Sequence, residues 1–310
     1  AADFLDTEGP GVALDRIIAD AKPWTPSARG DGALRFTPLG DLLAEPNEHV
    51  DWLVQGRLPT GGLSLLAGKP KVGKSMLARW LTLAVARGEP WLGFTTVPGL
   101  VFYLALEEKR AEVRAHFRAM GAAPEDPIEA FIASSPRDGL QQLRCAAEER
   151  RPALIVVDPL LKMVRVKDGN DYAEVTRAME PLLALARETD AHILAVHHLG
   201  KGERPGGDAI LGSTAIFAAV DTALILKRGD RYRTLSSIQR YGEDLEEIVL
   251  TLDSQTRRVT AGPKRAEADE AAMAEAILEF LRGQSAPVEE AEIQEGVEGR
   301  KAIQLRALRR

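Results

Sequence analysis

The sequence predicts an α/β protein whose mostly parallel sheet is covered by helices on both faces and extended at one edge by antiparallel hairpins. Between residues 46 and 262, short and continuously apolar segments alternate with segments of helix length. Strands that are buried on both faces have this uninterrupted apolar composition. After residue 218 the apolar segments follow one another closely, which indicates hairpins. From residue 263 the composition changes to Ala, Glu, Leu and Arg, which favours a small helical segment.

The parallel part of the sheet is predicted from five apolar segments and the helices between them. The predicted strands cover residues 63–67, 101–106, 130–133, 153–157 and 192–196. The predicted helices cover residues 75–87, 108–120, 139–149 and 172–189. Strand–helix alternation of this kind is typical of a parallel sheet with a helical layer on each face.

The remaining predicted elements precede or follow the parallel part of the sheet in the sequence. Four hairpin strands are expected over residues 220–226, 233–239, 247–252 and 257–260, and three helices over 265–282, 288–296 and 299–310. A stretch rich in Pro, Gly and Ser follows a short amphipathic piece at 12–21, which indicates an arm or an inert leader. The predicted organisation is an arm over 1–45, an α/β domain over 46–262 and a helical segment over 263–310.

Composition and charge limit the class of protein. The 310 residues carry a formal net charge of -6, which disfavours a protein that coats duplex DNA with its whole surface, so nucleic-acid contact must come from local basic loops. No apolar run approaches the ~18 residues of a membrane-spanning helix, so no membrane association is expected. The single cysteine, Cys145, is expected to be a small core residue. One cysteine forms no internal disulfide, and a cytoplasmic location is therefore expected.

A phosphate-binding loop is the strongest motif in the sequence. Residues 68–75 fit the pattern GxxxxGK[ST] between a predicted strand and a predicted helix, the context that this motif requires and that argues against a chance match. Lys74 is expected to reach the β- and γ-phosphates of ATP, and Ser75 to hold Mg²⁺. Lys71 either contacts the γ-phosphate or faces solvent. The predicted nucleotide-binding residues are Gly68, Lys69, Pro70, Lys71, Val72, Gly73, Lys74, Ser75 and Met76.

Polar residues follow two further predicted strands. Asp158 ends the apolar run at 153–157 and is predicted to order Mg²⁺, with capping of the next turn as the alternative. His197 and His198 end the run at 192–196, at the edge of a parallel sheet where ligands bind. His198 is predicted to sense the γ-phosphate, and the other histidine to point into the core. A metal site is the weaker alternative, because adjacent side chains on a strand point to opposite faces.

Together these segments resemble the RecA-fold hexameric helicases, and most closely the RepA-like plasmid replicative helicase group. The resemblance covers about residues 40–260. It rests on the phosphate-binding loop and on DWLVQGRLPTGG at 51–62, VFYLALEE at 101–108, LIVVD at 154–158, DGND at 168–171 and HHLGK at 197–201. It implies a RecA-like P-loop core, a ring of subunits, most commonly a hexamer, and ATP sites between subunits.

The resemblance also implies a general base. In RecA-like enzymes a glutamate at the tip of the strand that follows the P-loop helix polarises the attacking water. Glu107 directly follows the apolar run at 101–106 and is the predicted base. Glu108 is expected to begin the next helix, where an acid favours the helix dipole.

Two channel-lining loops that contact single-stranded DNA are further implied. We take residues 160–170 as loop one and residues 200–212 as loop two. Cationic, glycine-rich loops suit a phosphodiester backbone, and mobile solvated loops are the alternative. Their basic residues are Lys162, Arg165 and Lys167 in loop one and Lys201 and Arg204 in loop two.

An arginine from a neighbouring subunit completes the site in such enzymes. Arg240 is the predicted finger, Arg228 is the second choice, and a surface salt bridge is the alternative. The C-terminal helices resemble the opening of a winged-helix module. The sequence therefore predicts an ATP-driven motor on DNA. The alternatives are a RecA-like recombination mediator and a regulatory or assembly ATPase whose partner is a protein.

Overall fold

The computed structural model of the chain describes residues 36–45, 50–167, 171–198 and 214–309. Most of the predicted arm, residues 168–170 of loop one and all of loop two, including Lys201 and Arg204, lie outside the described residues. The chain divides into one unit of residues 1–49 and a second of residues 50–310. In the first unit, helix α1 (Leu39–Ala44) buries none of its side chains.

The second unit contains the remaining elements. Its described strands are β1 (Trp52–Val54), β2 (Leu58–Pro59), β3 (Leu63–Gly68), β4 (Val101–Ala105), β5 (Ile128–Ile132), β6 (Leu154–Asp158), β7 (His192–His198), β8 (Thr222–Arg228), β9 (Arg233–Gln239), β10 (Ile248–Leu252) and β11 (Val259–Lys264). Its described helices are α2 (Lys74–Arg87), α3 (Arg110–Ala119), α4 (Gly139–Arg150), α5 (Leu160–Met163), α6 (Tyr172–Thr189), α7 (Thr214–Ala219), α8 (Arg265–Arg282), α9 (Glu290–Gly296) and α10 (Lys301–Leu308).

Within these described residues, strands β3 to β11 form one nine-stranded sheet in the order β11-β10-β9-β8-β3-β7-β6-β4-β5. All neighbours from β8 to β5 are parallel, whereas β8, β9, β10 and β11 pair antiparallel. The predicted fold class is confirmed: a RecA-like α/β core with a mostly parallel sheet, antiparallel strands at one edge and a small helical C-terminal segment.

The inner parallel strands β3, β4, β6 and β7 are buried almost throughout because helices cover both of their faces, whereas the edge strand β5 is mostly exposed. Successive residues of β4 show the alternation: Tyr103 packs into the core beneath α2 and α3, and Phe102 and Leu104 pack into the opposite core beneath α4 and α6. Burial of this apolar surface, at roughly 25 cal/mol per Å², is the main term that holds the three layers together. The sheet is therefore a rigid support for residues at its edges.

The first residues of loop one form the short helix α5, in which Leu160 and Met163 are buried. One local expectation is wrong. Cys145 was expected in the core, but it is exposed, because α4 turns Leu143 and Ala147 towards the sheet instead.

The C-terminal helices α8, α9 and α10 enclose a small core of their own, which includes Met273, Ile277 and Ile293. The Tyr232 hydroxyl donates to the carbonyl of Ala268 in α8, which ties this segment to the β8–β9 turn. Across the described ranges, no helix has both the length and the apolar content needed to cross a membrane.

Candidate nucleotide site

The predicted phosphate-binding loop lies at the carboxyl edge of the sheet, between β3 and α2. Gly68 pairs with His198 of β7 on one side and with Leu226 of β8 on the other. A Cβ atom at Gly68 would lie 2.6 Å from the Leu226 carbonyl oxygen, so only glycine fits there. Gly73 caps α2 in a left-handed conformation, with φ of 112°. A helix N-terminus leaves N–H groups without helical partners, and these groups bind anions such as phosphate.

Lys74 is held at the mouth of this loop. Its side chain is buried, and its Nζ donates to the carbonyl oxygens of Gly68 at 2.7 Å and Lys69 at 3.0 Å. Burial lowers the pKa of Lys74 to about 8, although the nearby Asp158 carboxylate acts in the opposite direction. Lys71, in contrast, is exposed.

Asp158 and Ser75 meet beside Lys74. Burial raises the pKa of the Asp158 carboxyl, and the neighbouring Ser75 hydroxyl, together with the charges of Arg79 and Lys74, acts in the opposite direction. The Oδ2 atom of Asp158 is buried, and no hydrogen-bond partner for it occurs among the described residues. Mg²⁺ at phosphate sites uses one or two protein oxygens and takes its other ligands from water and phosphate. These two side chains therefore fit the magnesium site that the loop motif implies.

The two adjacent glutamates have different surroundings. The side chain of Glu107 is 47% exposed, and its Oε1 lies 3.3 Å from the Nζ of Lys162 in α5. Glu108 instead forms an ion pair with Arg79 of α2, whose side chain is almost fully buried. Helix α3 begins only at Arg110. The expectation that Glu108 begins this helix is therefore wrong, because Arg79 draws its carboxylate towards α2.

Arg79 and Tyr103 are site residues that the sequence reasoning missed. The guanidinium of Arg79 lies 5.8 Å from the ring centroid of Tyr103. In the described part of the chain, Arg79 Nε, Tyr103 Oη and Asp158 Oδ2 are all buried without a hydrogen-bond partner. Arg79 is four residues after Ser75, and side chains at this spacing lie on one face of a helix. That spacing is the signal that could have identified Arg79.

The two histidines point to opposite faces of the sheet, as expected for neighbours on a strand. Burial lowers the pKa of His197 to about 4. His198 is exposed and lies beside Gly68 in the register. Burial and the charge of Lys74 lower the pKa of His198, and Glu107 acts in the opposite direction. The imidazole of His198 therefore lies in the field of both Lys74 and Glu107.

Arg240 lies away from these groups. Strand β9 runs antiparallel to β8, so Gln239 pairs with Thr222 at the amino end of the parallel strands. Arg240 follows at that far edge, where its Nη1 is 3.6 Å from Asp221 and its Nη2 donates to the Ala218 carbonyl at 3.2 Å. Its role in the site of a neighbouring subunit stays a prediction.

The described loop-one cations are exposed. Lys162 pairs with Glu107. Arg165 donates to the Ser135 carbonyl at 3.2 Å, and the backbone N–H of Lys167 donates to Glu174. The structure thus brings Lys162 to the predicted base and Arg165 to the segment between β5 and α4.

Comparison with known proteins gives three results. A family model described as "AAA domain" matches residues 30–204. No curated protein matches the chain. The crystal structure of a KaiC-like protein from the hyperthermophilic archaeon Pyrococcus horikoshii OT3 matches with 15% sequence identity and a TM-score of 0.49, over 68% of this chain and 94% of that chain.

Proposed function

The chain belongs to the AAA-domain family, and from that premise we propose that it hydrolyses ATP to drive a ring-shaped motor, a RepA-like helicase, along single-stranded DNA. The position of Ser75 next to the buried Asp158, beside the Lys74 ammonium, carries the ATPase part of this proposal. Hydrolysis of ATP needs a phosphate cradle, a magnesium ligand pair and a water-activating carboxylate. Groups of these three kinds meet at one edge of the sheet.

Each side chain has a separate task in the proposed reaction. The backbone N–H groups of the loop and Lys74 hold the β- and γ-phosphates, and Ser75 with Asp158 holds Mg²⁺. The bound ion neutralises charge on the phosphates. Glu107 accepts the proton of the attacking water. His198, which lies in the field of both Lys74 and Glu107, reports whether the γ-phosphate is present.

The motor part of the proposal is supported by the position of loop one. Lys162 of this loop contacts the predicted base, so movement of α5 would alter the charge beside Glu107. A DNA phosphate that attracts Lys162 would thereby change the rate of hydrolysis. Loop two, residues 200–212, begins two residues after His198, the last residue of β7, and its basic residues Lys201 and Arg204 are proposed as the second DNA contact.

The net charge of -6 favours a second candidate function, an ATPase that regulates or assembles a protein partner without unwinding DNA. A global negative charge repels nucleic acid and leaves only local loops for DNA contact. A RecA-like ATPase without unwinding activity, such as a recombination mediator or a filament former, is the other alternative.

One experiment separates these functions. ATP turnover is measured with and without single-stranded DNA, alongside the native mass, for the wild type and for the double variant Lys201→Ala, Arg204→Ala. The motor predicts turnover that DNA stimulates, loss of that stimulation in the variant with basal turnover retained, and a ring of subunits. Turnover that ignores DNA in the wild type would contradict the motor and favour the protein-directed ATPase.

A further inference from the structure

Arg233, the first residue of β9, contacts the phosphate-binding loop of its own chain. Its Nε donates to the Val72 carbonyl at 3.1 Å. A Cβ atom built on Gly73 would lie 4.0 Å from this Nε and 3.6 Å from the terminal methyl of Met76. The side chain of Arg233 is half-buried, and among the described residues no carboxylate lies within ion-pair distance of it.

The sheet order places this arginine on the side of the loop that lies away from the acids. Strand β3 has β8 and then β9 on one side, and β7 and then β6 on the other. Asp158 ends β6, whereas Arg233 begins β9 at the same edge, because it pairs with Arg228 at the carboxyl end of β8. Leu235, two residues further along β9, packs in the same core as α2, so Arg233 lies on the face of the sheet that carries the loop.

We propose that Arg233 binds the nucleotide within its own subunit, at the α-phosphate and ribose end. This inference rests on the proposed function. The γ-phosphate and Mg²⁺ belong beside Lys74 and Asp158, so the other end of the nucleotide extends towards β8 and β9. The loop N–H groups hold the α- and β-phosphates, and the bond from Arg233 to Val72 places the guanidinium beside that part of the loop.

The chemistry of the guanidinium suits this task. Arginine carries five N–H donors in a fixed fork, and the bond to Val72 uses only the one on Nε. Within the described ranges, the four N–H groups on Nη1 and Nη2 have no hydrogen-bond partner. They can therefore bind phosphate oxygens or ribose hydroxyls, and arginine bonds phosphate oxygens in pairs. A lysine at this position could not hold the Val72 carbonyl and a phosphate in one plane. Arg233 is therefore a binding residue with a role distinct from that of an arginine supplied by a neighbour.

The test compares equilibrium binding of ATP and of ADP to the wild type, to Arg233→Gln and to Arg231→Gln. Arg231 is exposed on the same turn and gives a matched loss of charge. We expect Arg233→Gln to raise the Kd of both nucleotides by about tenfold, as charged hydrogen bonds of this kind would give. The ratio of the two Kd values stays unchanged, because both nucleotides keep the α-phosphate and ribose. Arg231→Gln leaves both Kd values near those of the wild type.

The melting temperature of the nucleotide-free variant distinguishes binding from support of the loop. A weakened affinity with an unchanged melting temperature supports the inference. Unchanged affinity in Arg233→Gln, a loss restricted to ATP, or a loss accompanied by a melting temperature several degrees lower would each overturn it. A wild type that binds neither ATP nor ADP would instead contradict the proposed function itself.

Discussion

Two groups of charged side chains lie at the carboxyl edge of the sheet, and they differ in burial. The buried cluster, which we define as Lys74, Arg79, Asp158 and the partly exposed Glu108, includes two residues of α2 and lies near Tyr103. The exposed pair, Glu107 and Lys162, faces solvent. Charges that lose their hydration must keep their partners, whereas an exposed ion pair contributes only ~0–1 kcal/mol. Folding therefore fixes the first group in place and leaves the second free to exchange partners.

This difference in burial suits a site in which the buried cluster binds the nucleotide and the exposed pair responds to a second ligand. The buried cluster contains Lys74 and Asp158, the proposed holders of phosphate and magnesium, and folding keeps them close together. The exposed pair can be broken by a competing anion at small cost, which allows a ligand of loop one to act on the predicted base. The following changes test this division, beginning with the largest expected effect.

Glu107→Gln separates the reacting carboxylate from the binding residues. We expect turnover to fall by ~10²–10⁴-fold, the usual contribution of a general base, while ATP affinity stays within a factor of about three. The measurement is steady-state ATP hydrolysis together with equilibrium binding. Glu108→Gln is the neighbouring control, since its carboxylate faces Arg79. Turnover that survives in Glu107→Gln and disappears in Glu108→Gln would reverse the two assignments.

The stability of the buried cluster is tested with the same Glu108→Gln variant. Removal of this carboxylate leaves the buried Arg79 cation without its partner, which should lower the free energy of unfolding by about 2 kcal/mol. Chemical denaturation measures the change. Glu129→Gln is the matched control, because it removes the partner of Arg150 in an exposed ion pair and should cost less than about 0.5 kcal/mol. Equal losses in the two variants would contradict the contrast between buried and exposed pairs.

The depressed pKa of Lys74, about 8 in the free protein, predicts a pH dependence of nucleotide binding. Phosphate favours the charged ammonium and raises this pKa in the complex. Above pH 8 the free protein loses the proton that the complex keeps, so affinity should fall by up to about tenfold per pH unit. Below pH 8 Lys74 is protonated in both the free protein and the complex, so it adds no pH dependence to the affinity. Binding measured from pH 7 to 9.5 tests this expectation.

Lys74→Arg provides the control for that profile, because a guanidinium stays charged over the whole range. The variant should bind with little dependence on pH in this window. If the nucleotide affinity of the wild type is also independent of pH up to pH 9.5, the Lys74 ammonium does not lose its proton as burial predicts.

The exposed pair should give the smallest effect. Lys162→Ala removes the cation beside Glu107 and should change the free energy of unfolding by less than about 0.5 kcal/mol. Basal turnover should stay within about twofold, and stimulation by single-stranded DNA should fall. Arg165→Ala, on the same loop but bonded to the Ser135 carbonyl, sharpens the comparison, because it removes a loop charge without touching Glu107. Stimulation retained in full in Lys162→Ala would remove that residue from the proposed coupling.

The fold and the centre of the site could be predicted from the sequence because both depend on local patterns. Continuous apolar segments located the parallel strands, and a glycine motif between strand and helix located Lys74 and Ser75. The apolar run that ends at Asp158 located β6. Each of these signals is contained within about fifteen residues. The way the helices pack on the sheet is consistent with these local predictions.

Contacts between distant segments could not be predicted in the same way. The pair of Arg79 with Glu108 depends on how α2 lies against the tip of β4. The opposite placement of Arg233 and Arg240 depends on the direction of β9. The predicted hairpin gives that direction, but the bond from Arg233 to the Val72 carbonyl appears only in the folded structure. The expectation for Cys145 was wrong because helix α4 has too few apolar residues to indicate which of its faces packs on the sheet.

The most direct test of the account is a crystal structure with a non-hydrolysable ATP analogue and Mg²⁺. We predict phosphate oxygens on the N–H groups of the loop that ends at Lys74, and the ion within about 2.1 Å of the Ser75 hydroxyl, with Asp158 facing it. A triphosphate bound elsewhere, or an Asp158 carboxylate turned away from the ion, would contradict the central claim.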